Sequence, residues 1–193
     1  MYHAIVYPVI EEKIESELYA VVDSLPEWRR KIALSYKHKI DQYLCAKAYL
    51  LLKELLYIHY GIYEDVEFEL GPYKKPALKS YPGIYFNFSH CKKAVLCAVG
   101  DHPLGVDVEE IQFDHDLMQD IFSYSECKII QNSSTPPIKF TELWTQKESF
   151  LKLSGIGLID NLKDILNNIQ AIVEFKTEIN EAIGVVSTIA TFR

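Results

Sequence analysis

Gly105-Val106-Asp107-Val108-Glu109 alternates apolar and acidic residues after its glycine. Alternate side chains of an extended chain share a face, so Val106 and Val108 pack on one side while Asp107 and Glu109 project from the other. The stretch reads as a strand, Leu104–Glu109, with one buried face and one acidic face. Immediately upstream, Ile84–Phe88 and Ala94–Val99 read as consecutive strands joined by Ser89-His90-Cys91-Lys92-Lys93. Further out lie a strand over Tyr2–Val9, a helix over Glu11–Ser24 and a second helix whose first turn holds Pro26, with Ser24 as its cap. Lys39–Tyr60 reads as a long helix stopped by Gly61, with Tyr43, Ala46, Leu50, Lys53, Leu56 and Tyr57 near helical spacing. Val66–Leu70 is a short strand leading into a loop at Gly71-Pro72. Downstream, Leu117–Gln131 reads as a helix and Asn132–Pro137 as a loop. Ile138–Ser154 is a helix closed by Gly155-x-Gly157, and Ala171–Lys176 and Ala182–Phe192 are a final strand pair. Strands and helices follow no steady βαβ rhythm, so the class is α+β. Neither a repeat of fixed period nor a flexible linker divides the chain, so two tightly docked halves, 1–103 and 104–193, are expected.

The 193 residues are 49% hydrophobic and 24% charged, which excludes wholesale disorder. No apolar run approaches the ~20 residues of a spanning helix, so no membrane role is expected. The start of the chain lacks a basic region and meets Glu11-Glu12 early, and the four cysteines show no C-x-x-C spacing. Reduced thiols in a cytoplasmic protein are the expectation. Charge is unevenly spread: residues 1–103 carry 13 basic and 13 acidic side chains, whereas residues 104–193 carry 7 and 14 and hold the whole net charge of −7. Arg29–Lys39 and Gly71–Lys93 are each basic with no acid. They are either ordinary solvated stretches or an anion site facing an acidic, metal-capable half. An acidic chain lacks the broad basic face that polynucleotides need, so a small polyphosphate suits it better than nucleic acid.

Chemistry concentrates in three places. Asp107 and Glu109 on one strand face repel each other unless water or a hard cation lies between them, and Mg²⁺ takes one or two such carboxylates. On the helix Ile138–Ser154, Phe140, Leu143, Trp144 and Leu151 form an apolar stripe, and Glu148 falls on it. A carboxylate there is costly to bury unless paired or metal-bound, and Lys152 is a same-face partner four residues on. Asn87-Phe88-Ser89-His90 ends a strand beside two lysines and offers a hydroxyl, backbone N–H groups and an imidazole to a phosphate. A Ser89–His90 nucleophile pair is the weaker idea, because adjacent residues on a strand point to opposite faces and no G-x-S-x-G turn exists.

Four stretches in order resemble the 4′-phosphopantetheinyl transferases of the surfactin-synthetase-activating type. They are Gly71-Pro72-Tyr73-Lys74-Lys75-Pro76, Phe86-Asn87-Phe88-Ser89-His90, Gly105-Val106-Asp107-Val108-Glu109, and Trp144-x-x-Lys147-Glu148-Ser149-Phe150-x-Lys152-x-x-Gly155-x-Gly157. The resemblance implies two similar α/β halves related by a pseudo-twofold axis. It also implies transfer of phosphopantetheine from coenzyme A to a serine of an apo acyl or peptidyl carrier protein, with release of 3′,5′-ADP. By motif position, Asp107, Glu109 and Glu148 would hold Mg²⁺, and Lys31, Lys75, Ser89, His90 and Lys152 would contact coenzyme A, Lys31 at its 3′-phosphate. Glu148, directly or through a metal-bound water, would deprotonate the serine, and Lys152 would stabilise or protonate the leaving phosphate. Three positions depart from the family pattern: Lys74 stands where glycine is usual, Trp28 where a basic residue is frequent, and Asp41-Gln42-Tyr43-Leu44 lacks the usual arginine. The alternative reading is a non-catalytic module of the same fold that binds coenzyme A or a carrier protein.

Overall fold

The computed structural model describes residues 1–155, 162–163, 165–169 and 171–193, so Gly157 lies outside the described residues. In the first half, β1 (Tyr2–Pro8) is followed by α1 (Glu11–Asp23), α2 (Glu27–Ser35) and α3 (Lys39–Tyr60). The short hairpin β2 (Phe68–Leu70) and β3 (Pro76–Leu78) comes next, then the hairpin β4 (Tyr85–Cys91) and β5 (Ala94–Gly100). The second half runs β6 (Leu104–Glu110), α4 (His115–Ile121), α5 (Tyr124–Gln131), α6 (Pro136–Ser154), α7 (Ile165–Ile169), β7 (Val173–Asn180) and β8 (Val185–Phe192). The α+β class holds. Both three-stranded sheets are antiparallel, ordered β1-β5-β4 and β6-β8-β7, and in each the last strand sits between the first and the second.

Strand alternation stacks the layers. Val95, Cys97 and Val99 of β5 pack with α3. Ala94, Leu96 and Ala98 turn the other way and meet Val106, Val108, Val185 and Ile189 of the second sheet. The two sheets therefore face each other, with α3 covering the far side of the first. On the far side of the second sheet lies α6, and there Gly105, Asp107 and Glu109 point. A Cβ on Gly105 would fall onto the Ser149 carbonyl oxygen and the Leu153 amide nitrogen, and would lie 2.8 Å from the Leu153 Cα. Helix backbone thus rests directly on strand backbone at this one residue, a closeness that only glycine permits.

Several local expectations need correction. Ser24 ends α1 rather than capping α2, and its hydroxyl donates to the Val21 carbonyl; Pro26 is the cap residue of α2. Helix α3 packs against α1, α2 and β5 at once, so its buried arc is wider than one stripe. Leu44, Tyr49, Leu52 and Leu55 are buried, whereas Tyr57 is exposed. The expected helix Leu117–Gln131 is broken at Phe122-Ser123, where the Ser123 hydroxyl and Glu126 carboxylate cap α5 reciprocally. Strand β4 continues through Ser89 and His90 to Cys91, leaving only Lys92-Lys93 as the turn. Helix α6 is buried on more than its apolar side: Thr141, Thr145 and Ser149 are fully buried, and Thr145 shares a 2.8 Å hydroxyl bond with Thr188 of β8. Small hydroxyl residues at four-residue spacing let the helix sit close to the sheet.

Replacing Gly105 with alanine forces strand and helix apart and should cost about 1–3 kcal/mol or more, as overpacking does. Urea unfolding measures it; an unchanged midpoint would show that the backbone contact does not exist.

Candidate active site

Helix α6, strand β6 and strand β4 meet where the two halves join. Asn87 of β4 accepts the Val106 backbone N–H at 2.8 Å through its side-chain oxygen, fastening one sheet edge to the other. Two residues on and on the same face, the Ser89 hydroxyl donates to Asp107 Oδ1 at 2.8 Å. From the last turn of α6 the Lys152 ammonium donates to the same Asp107 oxygen at 2.6 Å and to Ser89 Oγ at 3.0 Å. Asp107 is 2% exposed, and its other oxygen, Oδ2, is buried with no hydrogen-bond partner among the described residues. The expected Glu148–Lys152 pair along the helix is thus replaced by a pair across the cleft, Lys152 with Asp107.

Glu148 and Glu109 look onto the same cleft, which Phe88, Ser89, His90, Asp107, Trp144 and Lys152 complete. Glu148 is half-buried facing that space rather than inward on an apolar stripe. Burial, then the Asp107 charge, raises the Glu109 pKa to about 7; Lys152 and the Trp144 indole N–H act against this. Glu148 is raised by the same two causes, with Lys152 opposing them. Three carboxylates therefore share a recess with one compensating ammonium. Their oxygen donors and the orphaned Asp107 Oδ2 fit a hard divalent cation such as Mg²⁺. Among the described residues, no three His, Cys, Asp or Glu side chains are already gathered into a ready-made cation site.

An adjoining pocket shares Phe88, Glu148 and Lys152 and extends along Tyr73, Lys74, Lys75, Pro76, Asn87, Leu151 and Gly155. Every expected site residue except Lys31 lies in one of these two pockets. Lys31 is exposed on α2 and paired with Glu27 at 2.7 Å. Lys75 lines the second pocket, but its ammonium donates to the backbone carbonyls of Leu104, Lys152 and Leu153. Tyr73 and Lys74 adopt φ of 56° and 63°, the left-handed pair of a tight turn, so Lys74 bears a conformation that suits the glycine usual there. His90 points away from Ser89: its ladder partner Val95 packs with α3, while Leu96, the partner of Ser89, packs with the second sheet. Desolvation and then the Lys152 charge lower the imidazole pKa, with Asp41 opposing.

Residues 103–183, which carry β6, α6 and the Asp107, Glu109, Trp144, Glu148 and Lys152 side of the cleft, match the family model described as the 4′-phosphopantetheinyl transferase superfamily. Over that segment the chain is similar to the superfamily. It is 31% identical over 134 residues to the 4′-phosphopantetheinyl transferase psf-1 of Bacillus pumilus, covering 67% of this chain and 58% of that protein. It is 30% identical over 137 residues to the 4′-phosphopantetheinyl transferase Sfp of Bacillus subtilis strain 168, covering 69% and 61%. With the 4′-phosphopantetheinyl transferase gsp of Aneurinibacillus migulanus it shares 35% over 117 residues, covering 56% and 48%. The chain thus spans about half to three-fifths of the length of these curated relatives.

Sequence reasoning assigned no role to several residues that build the site. Trp144 lines the cleft beside Glu109, Asn87 docks the strands, and Gly105 admits the helix. Lys147, fully buried next to Glu148, donates to Glu126 at 2.9 Å and to the Ile121 and Leu162 carbonyls, tying α6 to the α4–α5 junction. The i, i+2 spacing of Asn87 and Ser89 is the one signal that could have placed Asn87.

A carboxyl whose pKa rises on folding holds its proton more tightly in the native state. The Glu109 contribution to stability is therefore present below about pH 4.5 and lost as pH rises through about 7. In the presence of a chelator, Glu109→Gln should raise the melting temperature at pH 8 and change it little at pH 4. A lower melting temperature at pH 8 would contradict this electrostatic account.

Proposed function

We propose that this protein transfers 4′-phosphopantetheine from coenzyme A to a serine of an apo acyl or peptidyl carrier protein, releasing 3′,5′-ADP. The observation that carries the reading is the Lys152 ammonium bridging Ser89 and Asp107 in a cleft shared with Glu109 and Glu148. Asp107, Glu109 and Glu148 would hold Mg²⁺. A cation bound there would neutralise negative charge on a pyrophosphate as the bond to the leaving group breaks.

Ser89 and Lys152 offer donors to the pyrophosphate oxygens, with His90 at the margin of the same cleft. The carrier serine attacks the phosphorus bearing the pantetheine arm; its Oγ–P bond forms as the P–O bond to 3′,5′-ADP breaks. Glu148, directly or through a metal-bound water, accepts the serine proton. The Lys152 ammonium gives a hydrogen bond or its proton to the departing phosphate. Trp144 forms the apolar wall of the cleft beside Glu109. The 3′-phosphate contact of Lys31 would require its ammonium to leave Glu27.

Within this reading, residues 1–103 and 104–193 are two similar halves related by a pseudo-twofold axis. Their matching strand orders support that relation, and the cleft lies at their seam. Within the same reading the protein acts in the cytoplasm, without nucleic acid or membrane as partner.

Incubation with coenzyme A, Mg²⁺ and a panel of apo carrier proteins should add one phosphopantetheine to at least one carrier, read by intact mass. Asp107→Ala should lower the rate by about 10²-fold or more while leaving the fold intact. Full transfer by Asp107→Ala, or transfer undiminished by chelator, would refute the assignment.

A further inference from the structure

The ammonium of Lys75 has three N–H donors, and all three meet backbone carbonyls. It reaches Leu104 O at 3.1 Å on β6, and Lys152 O and Leu153 O, the latter at 3.3 Å, on the last turn of α6. A helix ends with carbonyls that lack intrahelical partners and with the negative end of its dipole. At the end of α6, the Gly155 N–H takes up the Leu151 carbonyl at 3.0 Å, and the Lys75 ammonium takes up the next two. Gly155 has φ of +66°, and a Cβ there would lie 3.5 Å from Lys75 Cδ, so the lysine stem runs along the bare face of the glycine. The backbone of Lys75 is itself held, because its carbonyl accepts the Gly71 N–H at 2.9 Å across the base of the turn.

We propose that Lys75 is a positioning residue: it caps α6 and clamps the helix end to β6, fixing where Lys152 stands over Asp107. The clamp grips Lys152 by its own carbonyl, so a change at Lys75 is felt at the ammonium that bonds Asp107 and Ser89. This differs from a direct contact between Lys75 and coenzyme A, for which no donor of the ammonium is left over. Burial alone pulls the Lys75 pKa down to about 8, while the carbonyl acceptors and the helix dipole favour the charged form. The catalytic part of this inference rests on the proposed transferase reading.

Lys75→Met and Lys75→Arg, made in the full chain, separate the two roles. With Lys75→Met, the amides of Lys152–Gly155 should exchange with deuterium about tenfold faster or more, as a released helix end does. Coenzyme A affinity by calorimetry should change less than about threefold, while kcat at saturating coenzyme A should fall about tenfold or more through misplacement of Lys152. Lys75→Arg, which keeps charge and donors, should recover part of both losses and carries the test should Lys75→Met not fold. Unchanged exchange at Lys152–Gly155 would overturn the clamp. So would a tenfold weaker coenzyme A affinity with kcat intact, which is the mark of a phosphate ligand. If the unmodified protein transfers to no carrier, the transferase reading fails, and the exchange measurement still decides the clamp.

Discussion

The closeness of α6 to β6 is the constraint on which the rest depends. At Gly105 no side chain separates strand from helix, and any Cβ would strike the Ser149–Leu153 backbone. Because of that approach, a lysine in the last turn of the helix reaches an aspartate in the middle of the strand at 2.6 Å. Thr141, Thr145 and Ser149 extend the close contact along the helix without adding bulk, and Lys75 secures its end. The sheet interface made by Ala94, Leu96 and Ala98 against Val106 and Val108 then sets the height of β4 beside β6, so that Asn87 and Ser89 arrive at the seam.

Electrostatically the seam is unbalanced. Asp107, Glu109 and Glu148 share one cleft, with Lys152 as the cation bonded to the most buried of them. Burial and mutual repulsion push both glutamates upward in pKa. A cleft left in this condition is suited to a cation and to the phosphate oxygens that a cation brings with it. The asymmetry along the chain has the same meaning, since the acidic excess lies after residue 103 while Ser89 and His90 precede it.

Much of this was legible in the sequence, for identifiable reasons. Helix α3 was readable to the residue because Gly61 takes a left-handed φ of +66° at its end. Strand β6 was readable because Val106 and Val108 alternate with Asp107 and Glu109. The cleft residues followed from the four motifs, which chain order and sheet topology bring together. What failed to show was non-local or disguised. Lys152 has a glutamate four residues away and an aspartate 45 residues away, and spacing rules see only the first. The sheet-facing side of α6 is built from hydroxyl residues, which read as solvent-facing. The break between α4 and α5 was written as Ser123-x-x-Glu126 but lay inside an otherwise continuous helical pattern. The role of Lys31 at the 3′-phosphate came from the resemblance alone, and here its exposed side chain pairs with Glu27 along α2.

The central claim is that Asp107, Glu109 and Glu148 form one cation site beside Lys152. Anomalous diffraction from crystals soaked with Mn²⁺ and coenzyme A tests it most directly. A single strong peak within ligand distance of the three carboxylates, next to the pyrophosphate, is the predicted result. A cleft without such a peak, or a peak elsewhere in the molecule, would contradict it.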